Sequence, residues 1–312
     1  MARSRTFTSN LLPVLFFLLV ACSSELPPSE EIPFDPVVTD PETGDPVFPP
    51  TMVEVKFSSR GSQLNGLLYL PSGPGPHPTA VLLHGFPGNE RNLDLGQALR
   101  RAGINVLFFN YRGTWGSGGS FSTGNAIEDV SSALAFLRSE RSMEEYRVDP
   151  GRISLIGHSF GGFLAAMGTA GDRGVSCLVF LAGANLGTLG RDTSAESTAA
   201  ALAALSPDFH PESGPVRGDP VAMLQEIQAR AEEFDLLNHV ESLMDRPTLM
   251  VSGERDLVVP KNEMHDPLVE ALRATGSRQV SELVFDSDHY FSGHRIALSR
   301  AVVGWVQERC WQ

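Results

Sequence analysis

The chain has 312 residues, with 24 Lys+Arg against 37 Asp+Glu, for a formal net charge of −13. Hydrophobic residues at 42% and charged residues at 20% are globular proportions and exclude a disordered or fibrous chain. The acid excess leaves no basic stripe to displace counterions from phosphates, so nucleic acid is not an expected partner. Three cysteines without Cys/His zinc spacing exclude a disulfide-framed scaffold and a zinc site.

In chain order, Arg3 and Arg5 precede an apolar stretch, Leu11–Val20, interrupted by Pro13 and closing on Leu19-Val20-Ala21-Cys22. An apolar run of about ten residues is too short to cross a bilayer, so residues 1–21 read as a removed signal peptide. The last four residues resemble the lipobox of bacterial lipoproteins. That resemblance implies a lipid on Cys22, a membrane anchor and an extracytoplasmic location. Ser23 after the cysteine implies sorting to the outer membrane where a cell has two. Residues 22–50 hold seven carboxylates, eight prolines and no Lys or Arg, leaving 30 acidic and 22 basic residues over 51–312. Pro-rich acidic sequence stays extended, so this stretch is expected to be a disordered tether, with one folded domain over 51–312.

From Thr51 onward short apolar runs alternate with helical patterns. The runs are Val53–Phe57, Leu67–Leu70, Ala80–His84, Asn105–Asn110, Ile153–Ile156, Cys177–Ala182, Thr248–Val251 and Leu283–Phe285. Amphipathic stretches follow several of them: Asn92–Ala102, Ala126–Arg138, Phe160–Ala170, His265–Ala274 and a last helix over about 293–308. This is the pattern of an α/β protein with a mainly parallel eight-stranded sheet covered on both faces. The first two strands have no helix between them and are expected to pair antiparallel at one edge. A long interval between Ala182 and Thr248 contains an Ala-rich stretch, Ala195–Leu205, and a helix opening at Asp219-Pro220. Val221, Leu224, Ile227, Ala231 and Phe234 share a helical face there. Residues 186–245 are therefore expected to form a helical cap at the sheet's loop end.

The chemistry centres on Gly157-His158-Ser159-Phe160-Gly161, which follows a buried strand and precedes a small-residue helix. Strand, tight turn and helix are the setting in which a nucleophilic serine stands clear of the backbone. A serine hydroxyl needs a base and an orienting acid. Asp256 and His289 supply them, each just past a strand and thus at the same sheet edge as Ser159.

Together His84-Gly85-Phe86-Pro87-Gly88, Tyr111-Arg112-Gly113, Gly157–Gly161 and the Asp256 and His289 loops resemble an α/β-hydrolase of the serine-esterase and prolyl-oligopeptidase-like group. The resemblance covers residues 52–310. It implies a Ser159–His289–Asp256 triad and an oxyanion hole built from the backbone N–H groups of Phe86 and Phe160, with His84 shaping that loop. The substrate it implies is a small carboxylic ester, with a short peptide or amide as the alternative in a serine aminopeptidase-like relative. A non-catalytic surface binding protein on the same scaffold is a further alternative. His294 is a second candidate base and Asp235 a second candidate acid. Asp286, Asp288, His289 and His294 together are a weaker metal-binding alternative; no metal or organic cofactor is expected. Glu232-Glu233 could anchor a peptide terminus. Gly113–Gly124, with Trp115 and Phe121, is expected to be a mobile rim of the pocket. Cys177 and Cys310 are expected as separate thiols, with a bridge as the alternative.

Overall fold

The computed structural model describes residues 34–191, 193–210 and 214–311. Cys22 and the signal-peptide segment lie outside the described residues. The sheet contains β1 (Thr51–Ser59), β2 (Ser62–Leu70), β3 (His77–Leu83), β4 (Asn105–Phe109), β5 (Val148–His158), β6 (Val175–Leu181), β7 (Thr248–Gly253) and β8 (Val280–Phe285). Their order is β1-β2-β4-β3-β5-β6-β7-β8. β1, β2 and β4 pair antiparallel, and all later pairings are parallel. All eight expected strands are present.

The helices are α1 (Leu93–Arg101), α2 (Thr123–Leu137), α3 (Glu140–Glu145), α4 (Phe160–Gly171), α5 (Leu186–Arg191), α6 (Ala195–Leu205), α7 (Pro220–Ala229), α8 (Val240–Leu243), α9 (Asp266–Ala274) and α10 (Arg295–Arg309). Side chains alternate across a strand, and this divides the core. Val81 and Leu83 of β3, with Leu178 and Phe180 of β6, join α2, α4 and α9 on one face. Ala80 and Leu82, with Val179 and Leu181, join α1 and α10 on the other. Burial on both faces explains why the central strands read as unbroken apolar runs.

The cap occupies the expected interval as α5 to α8. Asp219 caps α7, accepting from the Val221 N–H at 2.8 Å, and Pro220 takes the first helical position. The buried face of α7 is Met223, Leu224 and Ile227, whereas Val221 is exposed and Phe234 lies beyond the helix end. The Glu226 carboxylate docks the cap onto α2, accepting from the Thr123 and Gly124 N–H groups at 2.9 and 3.0 Å. An acid at this position also faces the positive end of the α2 dipole.

Two expectations are corrected. Residues 22–33 of the expected tether lie outside the described residues, and from Asp35 onward the rest is strapped to the domain. Arg300 Nη2 donates to Asp35 at 2.5 Å, and Arg101 donates to the carbonyls of Pro36 and Val37 at 2.5 and 3.0 Å. Further along, the Asp45 N–H donates to Ser72 Oγ at 2.7 Å, and Arg147 lies over the Phe48 ring at 5.3 Å. The second correction concerns Cys177 and Cys310, which form a disulfide across 133 residues. Both are buried where α10 packs on β6, so the fold brings together two positions that lack any local relation.

Candidate active site

β5 carries Gly157 and His158 to the C-terminal edge of the sheet, and α4 departs at Phe160. Ser159 turns the corner with φ 59° and ψ −122°, a conformation that costs a non-glycine residue on the order of 1–3 kcal/mol. The glycines make that corner possible. A Cβ on Gly157 would stand 1.9 Å from the Gly161 carbonyl oxygen, and one on Gly161 would stand 2.1 Å from that of Leu83. Close helix-on-strand packing therefore fixes the serine at the crest of the turn.

Asp256 and His289 come from the loops after β7 and β8. His289 Nδ1 donates to Asp256 Oδ2 at 2.7 Å, while Asp256 Oδ1 accepts from the Val258 and Val259 N–H groups at 2.8 Å each. Both side chains are buried. With its proton on Nδ1, a neutral His289 presents Nε2 as an acceptor. Ser159 and His289 line the same cleft, of about 360 Å³ with its open mouth included. Phe86 lines it too. Among the described residues, no protein group accepts a hydrogen bond from the Phe86 or Phe160 backbone N–H.

The loop bearing Phe86 is held from behind. Tyr111 Oη donates to the His84 carbonyl at 2.8 Å, and its ring lies 4.2 Å from the His84 imidazole. His84 Nδ1 bonds the Gly85 carbonyl at 2.7 Å, and burial lowers its pKa to about 4, so the ring is neutral. Trp115 Nε1 donates to the Pro87 carbonyl at 2.7 Å under the Arg91 guanidinium. Arg112 is clamped to the buried Asp129 at 2.6 Å. His84 and Tyr111-Arg112 are thus built into the support of the loop.

Several alternatives are placed elsewhere. Asp235 is buried in the cap, accepting from Asn185 Nδ2 at 2.7 Å and from Arg191. His294 precedes α10 and packs on the Phe285 ring. Asp286 pairs with Arg255 and Asp288 with Ser292, so these two do not gather with His289 and His294 around a common point. Among the described residues, the group within metal-ligating reach is His265, Asp266 and Glu282. Its carboxylates already pair with Lys261 and Arg273. Glu232 is exposed beside Arg191, and Glu233 pairs with Arg230; neither lines the cleft. The loop over 113–124, expected as a mobile rim, does not line the cleft. It bonds the cap through Trp115 N–H to Pro215, Phe121 N–H to Arg217, and Arg217 N–H to Gly113. Phe121 is buried against Phe86 and Phe209, so its ring supports the cleft from beneath.

One contributor was not anticipated. His158 Nε2 donates to the His289 carbonyl at 2.8 Å, and the two imidazoles lie 4.7 Å apart. Burial first, and the neighbouring His289 second, lower its pKa to about 3. This neutral ring ties the serine turn directly to the histidine loop. The available signal was an imidazole at the unconstrained second position of the glycine-serine motif.

The chain belongs to the alpha/beta hydrolase family, whose family model matches residues 80–301. It is 27% identical to the uncharacterised protein YfhR of Escherichia coli O157:H7 over 214 residues, 66% of this chain and 63% of that protein. The match therefore spans less than two-thirds of that relative. YfhR of Salmonella typhi is 27% identical over 277 residues, 84% of each chain. Among solved structures, the Pyrococcus horikoshii acylaminoacyl peptidase aligns with TM-score 0.64 and 15% identity, covering 84% of this chain and 42% of that one. Est1E from Butyrivibrio proteoclasticus, solved with ferulic acid bound, aligns with TM-score 0.64 and 18% identity, covering 83% and 100%. At these identities the structural likeness establishes the fold.

Proposed function

We propose that the protein is a serine hydrolase that cleaves a carboxylic ester through an acyl-enzyme. The observation that carries this reading is the 2.7 Å His289–Asp256 hydrogen bond, in a cleft shared with the strained Ser159. His289 Nε2 takes the Ser159 proton as Oγ attacks the acyl carbonyl, and Asp256 stabilises the imidazolium that results. The Phe86 and Phe160 N–H groups receive the developing oxyanion. His289 then gives its proton to the leaving oxygen. Water, deprotonated by the same imidazole, releases the acid and restores Ser159.

A fluorophosphonate probe should label Ser159, and Ser159→Ala should abolish labelling while lowering turnover by on the order of 10⁶. Failure of the wild-type protein to be labelled would leave the scaffold as a binding protein. Assay of p-nitrophenyl acyl esters beside aminoacyl anilides decides between ester and amide substrates; turnover of the anilides alone would overturn the ester assignment.

We propose further that the protein lies outside the cytoplasm, anchored by lipid on Cys22. The Leu19–Cys22 sequence supports it, and so does the Cys177–Cys310 disulfide, because disulfides persist in oxidising compartments. Metabolic labelling with a palmitate analogue should mark the wild-type chain and not Cys22→Ser.

A further inference from the structure

Among the described residues, the wall of the cleft contains one formally charged side chain, Glu90, which shares Arg295 with the more closely paired Asp94. Glu90 sits four residues beyond Phe86, on the loop that closes the cleft before α1. Its Oε1 accepts from the Asn92 N–H at 2.6 Å, where Asn92 is buried with φ 53°, so the carboxylate is oriented by the turn.

Two arginines lie nearby, and both are committed. Arg295 approaches Glu90 no closer than 3.9 Å. Its donors go instead to Asp94 at 2.5 and 2.9 Å, to Asn92 Oδ1 at 3.0 Å and to the Tyr290 carbonyl at 3.0 Å. Two carboxylates thus share one arginine, with Asp94 the closer partner, and the group keeps a net negative charge. Arg91 turns the other way, its Nε on the Gly88 carbonyl and its guanidinium 4.5 Å from the Trp115 ring centroid. The rest of the wall includes the half-exposed ring of Tyr290 and the side chains of Phe86 and Val258. A carboxylate and an aromatic ring on the walls of one cleft can hold an ammonium group, by charge attraction and by the ring quadrupole together.

We infer that Glu90 determines substrate specificity, selecting esters or amides that carry an ammonium group within a few bonds of the scissile carbonyl. This rests on the serine-hydrolase reading and deepens it. It also places an anchor for a cationic group in the cleft, a role the exposed Glu232-Glu233 pair does not fill.

The test uses two pairs of isosteric esters in which a tert-butyl carbon replaces the quaternary nitrogen. On the alcohol side these are butyrylcholine and 3,3-dimethylbutyl butyrate. On the acyl side they are the p-nitrophenyl esters of 4-(trimethylammonio)butyrate and 5,5-dimethylhexanoate. In at least one pair the wild-type kcat/KM for the cation should exceed that of its isostere by about tenfold and fall with added salt. Glu90→Gln should bring that ratio to near unity, and Glu90→Lys should invert it. Because each ratio is internal to one protein, a general loss of activity does not obscure it. If a variant is wholly inactive, the salt dependence of the wild-type ratio still decides. Equal rates within both wild-type pairs, or a preference that survives Glu90→Gln, would overturn the assignment. Absence of all ester and anilide turnover together with absence of Ser159 labelling would instead sink the hydrolase reading beneath it.

Discussion

Three buried imidazoles surround the candidate nucleophile, and their environments give them different tasks. His289 alone has a carboxylate on Nδ1. His84 and His158 bond backbone carbonyls and are kept neutral by burial, with pKa values of about 4 and about 3 against an ordinary 6.5. Once unfolded, both rings titrate near that ordinary value, so as pH falls the unfolded chain takes up protons first. Their contribution to stability is complete above about pH 6.5 and is lost below it, at about 1.4 kcal/mol per pH unit for each ring. Urea unfolding at pH 5 should therefore give a stability lower than at pH 7 by about 2 kcal/mol for each ring. His158→Gln, which keeps an amide N–H to offer the His289 carbonyl, should remove about half of this pair's loss. An unchanged pH dependence in that variant would contradict the assignment. Asp256→Asn tests the opposite kind of role. It should leave the fold intact and lower kcat by about 10⁴, because the amide favours the wrong imidazole tautomer.

Elements differ in how plainly the amino-acid sequence announces them. The central strands are conspicuous, since burial on both faces leaves few polar positions in runs such as Ala80–Leu83 and Thr248–Val251. The serine turn is equally readable, because a helix cannot cross a strand this closely with a side chain at Gly157 or Gly161. Gly161→Ala should be insoluble or cost more than about 4 kcal/mol in urea unfolding, as only backbone movement relieves a 2.1 Å contact. Asp256 and His289 are legible by their order and by their place after strands. What stays hidden depends on partners remote in sequence. Short helices such as α3 and α8 are too brief to show a period. The strap between Asp35 and Phe48 has the composition of a disordered linker, and its order comes from Arg300, Arg101, Ser72 and Arg147. Glu90 looks like any loop carboxylate until Asp94 is seen to occupy Arg295.

At the scale of the whole molecule, the Cys177–Cys310 bridge joins the middle of the sheet to the end of the chain. Cys177 resembles a core residue in sequence because it sits on an apolar strand, and only the packing of α10 against that strand reveals its partner. Closing so long a loop restricts the unfolded ensemble, so reduction should cost about 2–5 kcal/mol. Cys310→Ser should lower the urea midpoint of the oxidised protein and make it insensitive to dithiothreitol. An identical midpoint with and without reductant in the wild type would show that the bridge contributes nothing.

The strap carries a consequence for orientation. Arg101 ends α1, Arg147 immediately precedes β5, and Ser72 lies before β3, so the segment runs along the N-terminal ends of the parallel strands. Ser159, Asp256 and His289 stand at the opposite ends. Residues 36–48 thus lie clear of the cleft mouth, which opens to solvent without their release.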